Sequence, residues 1–271
     1  MTDTPGTVPV GIDPTMPSTA RVYDAALGGK DNYAADRELL DRMIRDVPEV
    51  VEMARMNRAF LIRACRFLAD NAGVRQFIDC GSGLPTAENV HQVVQRIDND
   101  ATVVYTDNDP TVLAHGRALL VDNDHTHIID ANVFHPAEVL EHPQVRATID
   151  FTQPVALLHL ADLHFYPGDP AALMAQYLDA LPSGSYVVVS HGLNPENEHS
   201  HVARKFEAIY RASSGSVLFR TRAEIERILH PSMDVITPGW VIPGEWWPDG
   251  PNLKPWTPGE QCVWAAVARK P

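Results

Sequence analysis

Long apolar runs are missing from this chain of 271 residues. None approaches the ~18 to 20 residues needed to span a bilayer, so no membrane partner is expected. Cysteine is scarce: Cys65, Cys80 and Cys262 stand far apart, in spacings that match neither zinc ligation nor a disulfide framework. Each is expected in a core helix or strand, and no metal is expected. Basic residues are in deficit. Twenty-two Lys and Arg against 35 Asp and Glu leave a formal net charge of -13, with no Lys/Arg block. That balance disfavours nucleic-acid backbone and anionic lipid as partners. The opening MTDTPGTVPVGIDPTMPST lacks the basic and apolar regions of a signal peptide. Its Pro, Thr and Gly content predicts a disordered tail over 1–19. There is no internal repeat, and a cytoplasmic protein is the expectation.

Residues 20–72 form a helical segment. ARVYDAALGGKDNYAADRELLDRMIRDV is polar, with helical character from about Ala34, and Pro48 is placed to open a long helix. Val50, Val51, Ala54, Phe60, Leu61, Ala64, Cys65 and Leu68 hold helical spacing on one side, and Asn71 and Gly73 supply the stop. From residue 73 to 271 short β-branched runs alternate with helices. VRQFIDC, TVVYT, THIID, PVALLHL and YVVVS read as strands. A helix beginning near Thr86 would bury Ala87, Val90, Val93, Val94 and Ile97. Asp109-Pro110 and Asp169-Pro170 are N-cap and first-turn pairs, and Thr221 with Glu224 fits a capping box. After a helix around 196–212 and TRAEIERIL, two strands, MDVIT and QCVWAAVA, follow one another across a Pro/Trp-rich loop at 238–260. They must pair as a hairpin. The expected fold is α/β: a doubly wound, mostly parallel, seven-stranded sheet with an antiparallel C-terminal hairpin and an N-terminal helical lid.

Ligands in such sheets bind beyond the carboxyl ends of the strands, where strand order reverses. The first strand ends in FIDCGSGLPT, where Gly81 and Gly83 remove side chains at a point of close approach. A dinucleotide fingerprint would carry a third glycine where Thr86 stands, which weighs against a pyrophosphate clamp. Asp107 ends the second strand, at the level where an acid accepts hydrogen bonds from both ribose hydroxyls, and Asn108 follows it. Asp130 ends the third strand, placed to accept from an adenine amine.

These ordered strand ends and the terminal hairpin resemble class I S-adenosylmethionine-dependent methyltransferases. A narrower resemblance rests on RVYDAALGGKDNYAADRELL, NRAFLIRACRFL and FIDCGSGLPT. These stretches are similar to a bacterial methyltransferase-like family formerly catalogued as a domain of unknown function. The resemblance implies a Rossmann-like fold that binds S-adenosylmethionine, and it assigns Gly81, Ser82, Gly83, Asp107, Asn108, Asp130 and Ala131 to cofactor contact. It supplies no methyl acceptor.

The N-terminal segment is expected to close over cofactor and substrate. Gly28-Gly29 can approach a ligand, Lys30, Asp31, Asn32 and Tyr33 form a polar cluster, and Tyr23 lies nearby. Arg58 on the long helix is a candidate partner for the cofactor's carboxylate. The fourth strand ends in HLADLHFYP, so His159, Asp162, His164 and Tyr166 are candidates for binding or deprotonating an acceptor, with His159 also a cofactor contact and His191 a further candidate. The expected reaction moves a methyl group to a small-molecule O- or N-nucleophile. Two alternatives stand beside it: a non-catalytic cofactor-binding sensor, and an NAD-dependent oxidoreductase.

Overall fold

The computed structural model describes residues 11–86, 88–121, 123–213 and 215–271. Residues 1–10 of the expected tail and Ala87 lie outside the described residues. Residues 11–18 run as turns into the first helix, tied by the Thr15 amide donating to Asp13 at 2.8 Å.

Ten α-helices and seven strands alternate along the described chain. Helices α1 (Thr19–Ala26), α2 (Ala34–Asp46) and α3 (Val50–Asp70) precede β1 (Gln76–Cys80). Then come α4 (Val90–Gln95), β2 (Thr102–Asp107), α5 (Pro110–Leu119), β3 (Thr126–Asp130), α6 (Pro136–Leu140), α7 (Pro143–Thr148) and β4 (Ala156–Leu160). The chain finishes with α8 (Pro170–Ala180), β5 (Tyr186–Gly192), α9 (Ser200–Arg211), α10 (Arg222–Glu226), β6 (Asp234–Val235) and β7 (Val263–Arg269). The sheet order is β3-β2-β1-β4-β5-β7-β6. All pairs from β3 to β5 are parallel, while β7 runs antiparallel to both β5 and β6. The expected seven-stranded sheet with its antiparallel hairpin is the observed one.

Local chemistry explains most boundaries. Asp109 and Asp169 accept from the amides of Thr111 and Ala171, with proline inside the first turn in both helices. Thr221 and Glu224 form the expected capping box. Three elements differ from expectation. Helix α4 starts at Val90 rather than near Thr86, because Asn89 and Gln92 close a capping box there, and Ile97 falls beyond it, exposed. Helix α3 starts at Val50, and Pro48 sits in the preceding turn. Helix α1 is new: Ser18 caps it, and it buries Val22 and Ala26 together with Arg21 and Asp24, two polar residues that hid its periodicity.

The sheet is covered on both faces. Strand alternation sends Phe77 to the side packed by α3 and α4, and Ile78 and Cys80 to the side packed by α6, α8 and α10. A third apolar cluster joins α1, α2, the start of α3 and α9 beyond the strand ends. The Pro/Trp-rich loop is clamped to the outside of α3. Trp246 is buried against Phe60 and Phe67, and Arg63 donates to the carbonyls of Trp246 and Pro243 at 2.9 and 2.7 Å. That loop packs against the core instead of lining the cavity described below.

Candidate active site

Strand order reverses between β1 and β4, and a cavity of about 590 Å³ opens beyond the strand ends at that place. Its walls divide into a charged half and an apolar half.

The charged half is built by β1, β2 and α3. Gly81 and Gly83 have φ of 64° and 67°, a left-handed bend that only glycine adopts without strain. A β-carbon at Gly83 would meet no atom within 4 Å, so the bend faces open space. The Gly83 amide donates to Asp107 Oδ2 at 2.9 Å, and the amides of Asn108 and Asp109 donate to Asp107 Oδ1 at 2.8 and 2.9 Å. Parallel pairing of β1 with β2 thus fixes the carboxylate of Asp107 beside the glycine bend. Asp79 shares the strand face of Phe77 and so points toward α3, which carries Arg58. Burial pushes the Asp79 carboxyl up to about 7, against the pull of the Arg58 guanidinium. Arg58 is aimed by the carbonyl of Glu88, to which Nη2 donates at 2.9 Å. Four carboxylates (Asp79, Asp107, Asp109, Asp162) and one guanidinium line this cavity. The set favours a ligand with cationic character, a vicinal diol and a single carboxylate, and it disfavours a diphosphate.

The histidines have distinct settings. His159 is fully buried behind the wall, with Nδ1 2.6 Å from Asp162 Oδ2 and with Cys80 opposite it in the β1–β4 register. Burial disfavours its charge, yet the Cys80 and Asp162 side chains carry it well above the ordinary imidazole range. We read it as an imidazolium that holds the Asp162 carboxyl in place at the wall. His191 has a fixed tautomer, since Nδ1 can only donate to the Gly192 carbonyl at 2.8 Å and Nε2 can only accept from Arg220 at 3.0 Å. Burial, the main cause, lowers it to about 4. His164 faces the cavity, and burial, His191 and Arg220 hold it well below the ordinary range. Its Nδ1 has no hydrogen-bond partner among the described residues.

The apolar half lies under the N-terminal helices. Val22, Leu40, Met43 and Met53 from α1 to α3 face Phe206 and Tyr210 of α9, with Phe165, Val217 and Phe219 closing the side. Helix α1 is held over the opening by buried Arg21, whose Nε lies 2.8 Å from Asp36 Oδ2, and by the Ser18 hydroxyl donating to Asp109. A hydrogen-bonded chain crosses the floor. Tyr23 donates to the Ala54 carbonyl at 3.1 Å and accepts from Asn57 at 3.2 Å, and Ser190 donates to Asn57 at 2.6 Å.

Of the residues singled out from sequence, Tyr23, Arg58, Gly81, Ser82, Gly83, Asp107, Asn108, Ala131, His164 and His191 line the cavity. Four do not. Asp130 is exposed at the end of β3, and its successors Ala131 and Asn132 line the wall instead. His159 sits behind Asp162. Tyr166 packs on Phe134, ring centroids 5.2 Å apart, away from the lumen. Gly28 turns the chain at a φ of 82°, and Gly29 packs on the carboxyl of Asp24, which accepts from Asp31 and Asn32 at 3.0 and 2.9 Å; a β-carbon on Gly29 would fall 1.9 Å from Asp24 Oδ1. The Lys30–Tyr33 cluster therefore builds the turn after α1, while α1 itself covers the site. Asp79 was the omission from the candidates: an acid one residue short of the end of an otherwise apolar strand was the signal. The apolar wall had no signal, because its residues come from α1, α2, α3, α9 and the segments that follow β4 and α9.

Comparison with known proteins agrees with this geometry. The chain shares 42% identity with an inferred methyltransferase of Thermobifida fusca YX, covering 97% of this chain and 98% of that one, with a TM-score of 0.91. A DUF574 family protein of Streptomyces avermitilis MA-4680 is 37% identical over 94% of this chain and 98% of its own, with a TM-score of 0.88. No curated protein matches. The profile of the S-adenosyl methyltransferase family matches residues 5–271, and the chain belongs to that family.

Proposed function

We propose that this methyltransferase binds S-adenosylmethionine in the charged half of the cavity and methylates a small molecule held in the apolar half. The observation that carries the first part is the Asp107 carboxylate, fixed 2.9 Å from the Gly83 amide on the edge of open space. The donor set suits the cofactor. Asp107 would take the ribose hydroxyls, Asp79 the amino group and Arg58 the carboxylate, with Ala131 and Asn132 beside the adenine. Bound there, the cofactor supplies a methyl group already activated by a sulfonium, so the chain's own part is orientation and exclusion of water. Helix α1 and the floor chain from Tyr23 to Ser190 serve that part. Nothing in the lining favours a nicotinamide dinucleotide: the β1–α4 loop offers no third glycine, and Asn89 already occupies the Thr86 amide at 2.9 Å.

A small acceptor is supported by the enclosure of the apolar half and by a net charge of -13, which repels nucleic acid. Calorimetric titration with S-adenosylhomocysteine is the test. Saturable binding is expected, and Asp107→Ala should weaken it by about 1.5 to 3 kcal/mol, or roughly ten- to a hundredfold. Absence of binding by the unaltered protein at millimolar ligand would overturn the reading.

A further inference from the structure

We infer that the acceptor is an uncharged aromatic molecule carrying a hydroxyl group, and that His164 takes the hydroxyl proton during transfer. This deepens the proposed function and rests on it.

The charges of the cavity are segregated. All four lining carboxylates and Arg58 belong to the side of the glycine bend, at the ends of β1, β2 and β4 and on α3. Leu40, Met43, Met53, Phe206, Tyr210 and Phe219 make the opposite side, with no ionised group among them. An acceptor that brought a charge there would lose its hydration without gaining a partner, a cost of several kcal/mol. Rings suit this side better than chains. Phe165 meets Tyr210 at 5.5 Å and Phe206 meets Phe219 at 5.4 Å, and the thioethers of Met43 and Met53 adapt to ring edges and faces.

The polar groups that face this chamber narrow the nucleophile. Tyr23, Asn57 and Ser190 spend their hydrogen bonds on one another and on backbone, and both nitrogens of His191 are engaged. His164 is different. Its ring lies among Phe165, Phe219 and His191, at centroid distances of 4.4, 6.3 and 5.7 Å, with Nδ1 buried and unpartnered among the described residues, so that Nε2 is the nitrogen left to meet an acceptor in the cavity. Arg220 stands behind the pair, held by the carbonyls of Leu163, Tyr166 and Gly168 at 3.3, 2.7 and 2.8 Å. Burial, with His191 and this fixed positive charge adding to it, keeps the imidazole neutral, the form that accepts a proton. In the step, a lone pair of the acceptor oxygen forms the new C–O bond as the methyl carbon's bond to sulfur breaks. The electron pair stays on sulfur, which loses its positive charge, and the hydroxyl proton passes to His164 and from there to water.

Three probes of one shape make the test: 1-naphthol, 1-naphthoate and 1-naphthylmethylamine, titrated into protein saturated with S-adenosylhomocysteine. Naphthol should bind at least about tenfold more tightly than either charged analogue. With S-adenosylmethionine, naphthol should be methylated, and His164→Ala should slow turnover by about a hundredfold or more while the dissociation constants for naphthol and S-adenosylhomocysteine stay within about threefold. Met43→Lys should reverse the preference toward naphthoate, with Met43→Leu as the neutral control. If S-adenosylhomocysteine binds but naphthol binds no better than its charged analogues, the acceptor class is wrong. Unchanged turnover in His164→Ala would remove the base. Failure to bind S-adenosylhomocysteine would instead strike the cofactor reading.

Discussion

Asp79 illustrates how one side chain can link cofactor binding to protonation. It is buried beside Arg58, and burial raises its carboxyl to about 7. A proton must leave before it can pair with a cationic amino group, so affinity for the cofactor should rise with pH through that value. The sign follows from a raised folded-state pKa: the protonated form dominates below about 7, and each unit of pH below it weakens binding by up to about tenfold. We therefore expect S-adenosylhomocysteine to bind roughly tenfold more weakly near pH 6 than near pH 7.5, by calorimetry. Asp79→Asn should bind weakly at both, with the pH dependence gone. A wild-type profile that is flat over this range would place the amino group elsewhere. His159, on the neighbouring strand β4, has a positioning part, since its 2.6 Å bond to Asp162 Oδ2 fixes that side chain at the cavity wall.

Helix α1 matters at the scale of elements because it is short and depends on others. Eight residues do not sustain a helix in water, and tertiary contacts must hold it. Arg21 supplies them: its guanidinium is buried against Asp36, reaches Thr111 at 3.4 Å and lies 5.2 Å from the Tyr33 ring. Asp36 also accepts the amides of Ser18 and Tyr33, at 2.9 and 2.8 Å, so one carboxylate ties the N-terminal turns, α1 and α2 together. Asp36→Ala should leave a buried, unpaired guanidinium and cost about 3 to 5 kcal/mol. We expect that loss to be local. Hydrogen exchange should show protection falling in residues 13–46 and persisting in β1, β4 and β5, with weaker S-adenosylhomocysteine binding because the cover is loosened. Uniform loss of protection across the sheet would mean that α1 and α2 are integral to the core.

For the whole molecule, buried groups at the site set opposed pH dependences. His191 is lowered from 6.5 to about 4 by burial, so the unfolded chain takes up a proton that the folded chain refuses. Stability from this group is present above about pH 6.5 and falls by about 3 kcal/mol as pH drops to about 4. His164 acts in the same direction. Asp79 acts against them. Raised from 3.8 to about 7, it binds a proton in the folded state that the unfolded chain releases, so its contribution is lost as pH rises through about 7. Asp107, also raised by burial, adds to that side. The two trends offset one another in the unliganded protein. Urea unfolding of the wild type should therefore change little between about pH 4.5 and 6.5. Asp79→Asn should expose the histidine trend, losing about 2 to 3 kcal/mol over the same interval. Equal slopes in both proteins would refute the balance.

Local chemistry settled much of this protein from its residue order. Asp-Pro pairs, the Thr221–Glu224 box and the β-branched runs specify where elements start and stop, and two successive C-terminal strands force the antiparallel finish. Such signals act over a few residues, so they survive without a fold. The glycine bend and Asp107 were legible for the same reason, each being the end of a readable strand. What only the tertiary structure decided are matters of direction and distance. It turned Asp79 toward Arg58, put His159 behind Asp162 and left Asp130 outside the lumen. It also spent Gly29 on the Asp24 carboxyl and gathered the apolar wall from helices far apart in sequence. A strand's alternation tells which residues share a face, but which face meets a cavity depends on the helices packed over it. That is a property of the assembled sheet and its cover, and no short stretch of the chain contains it.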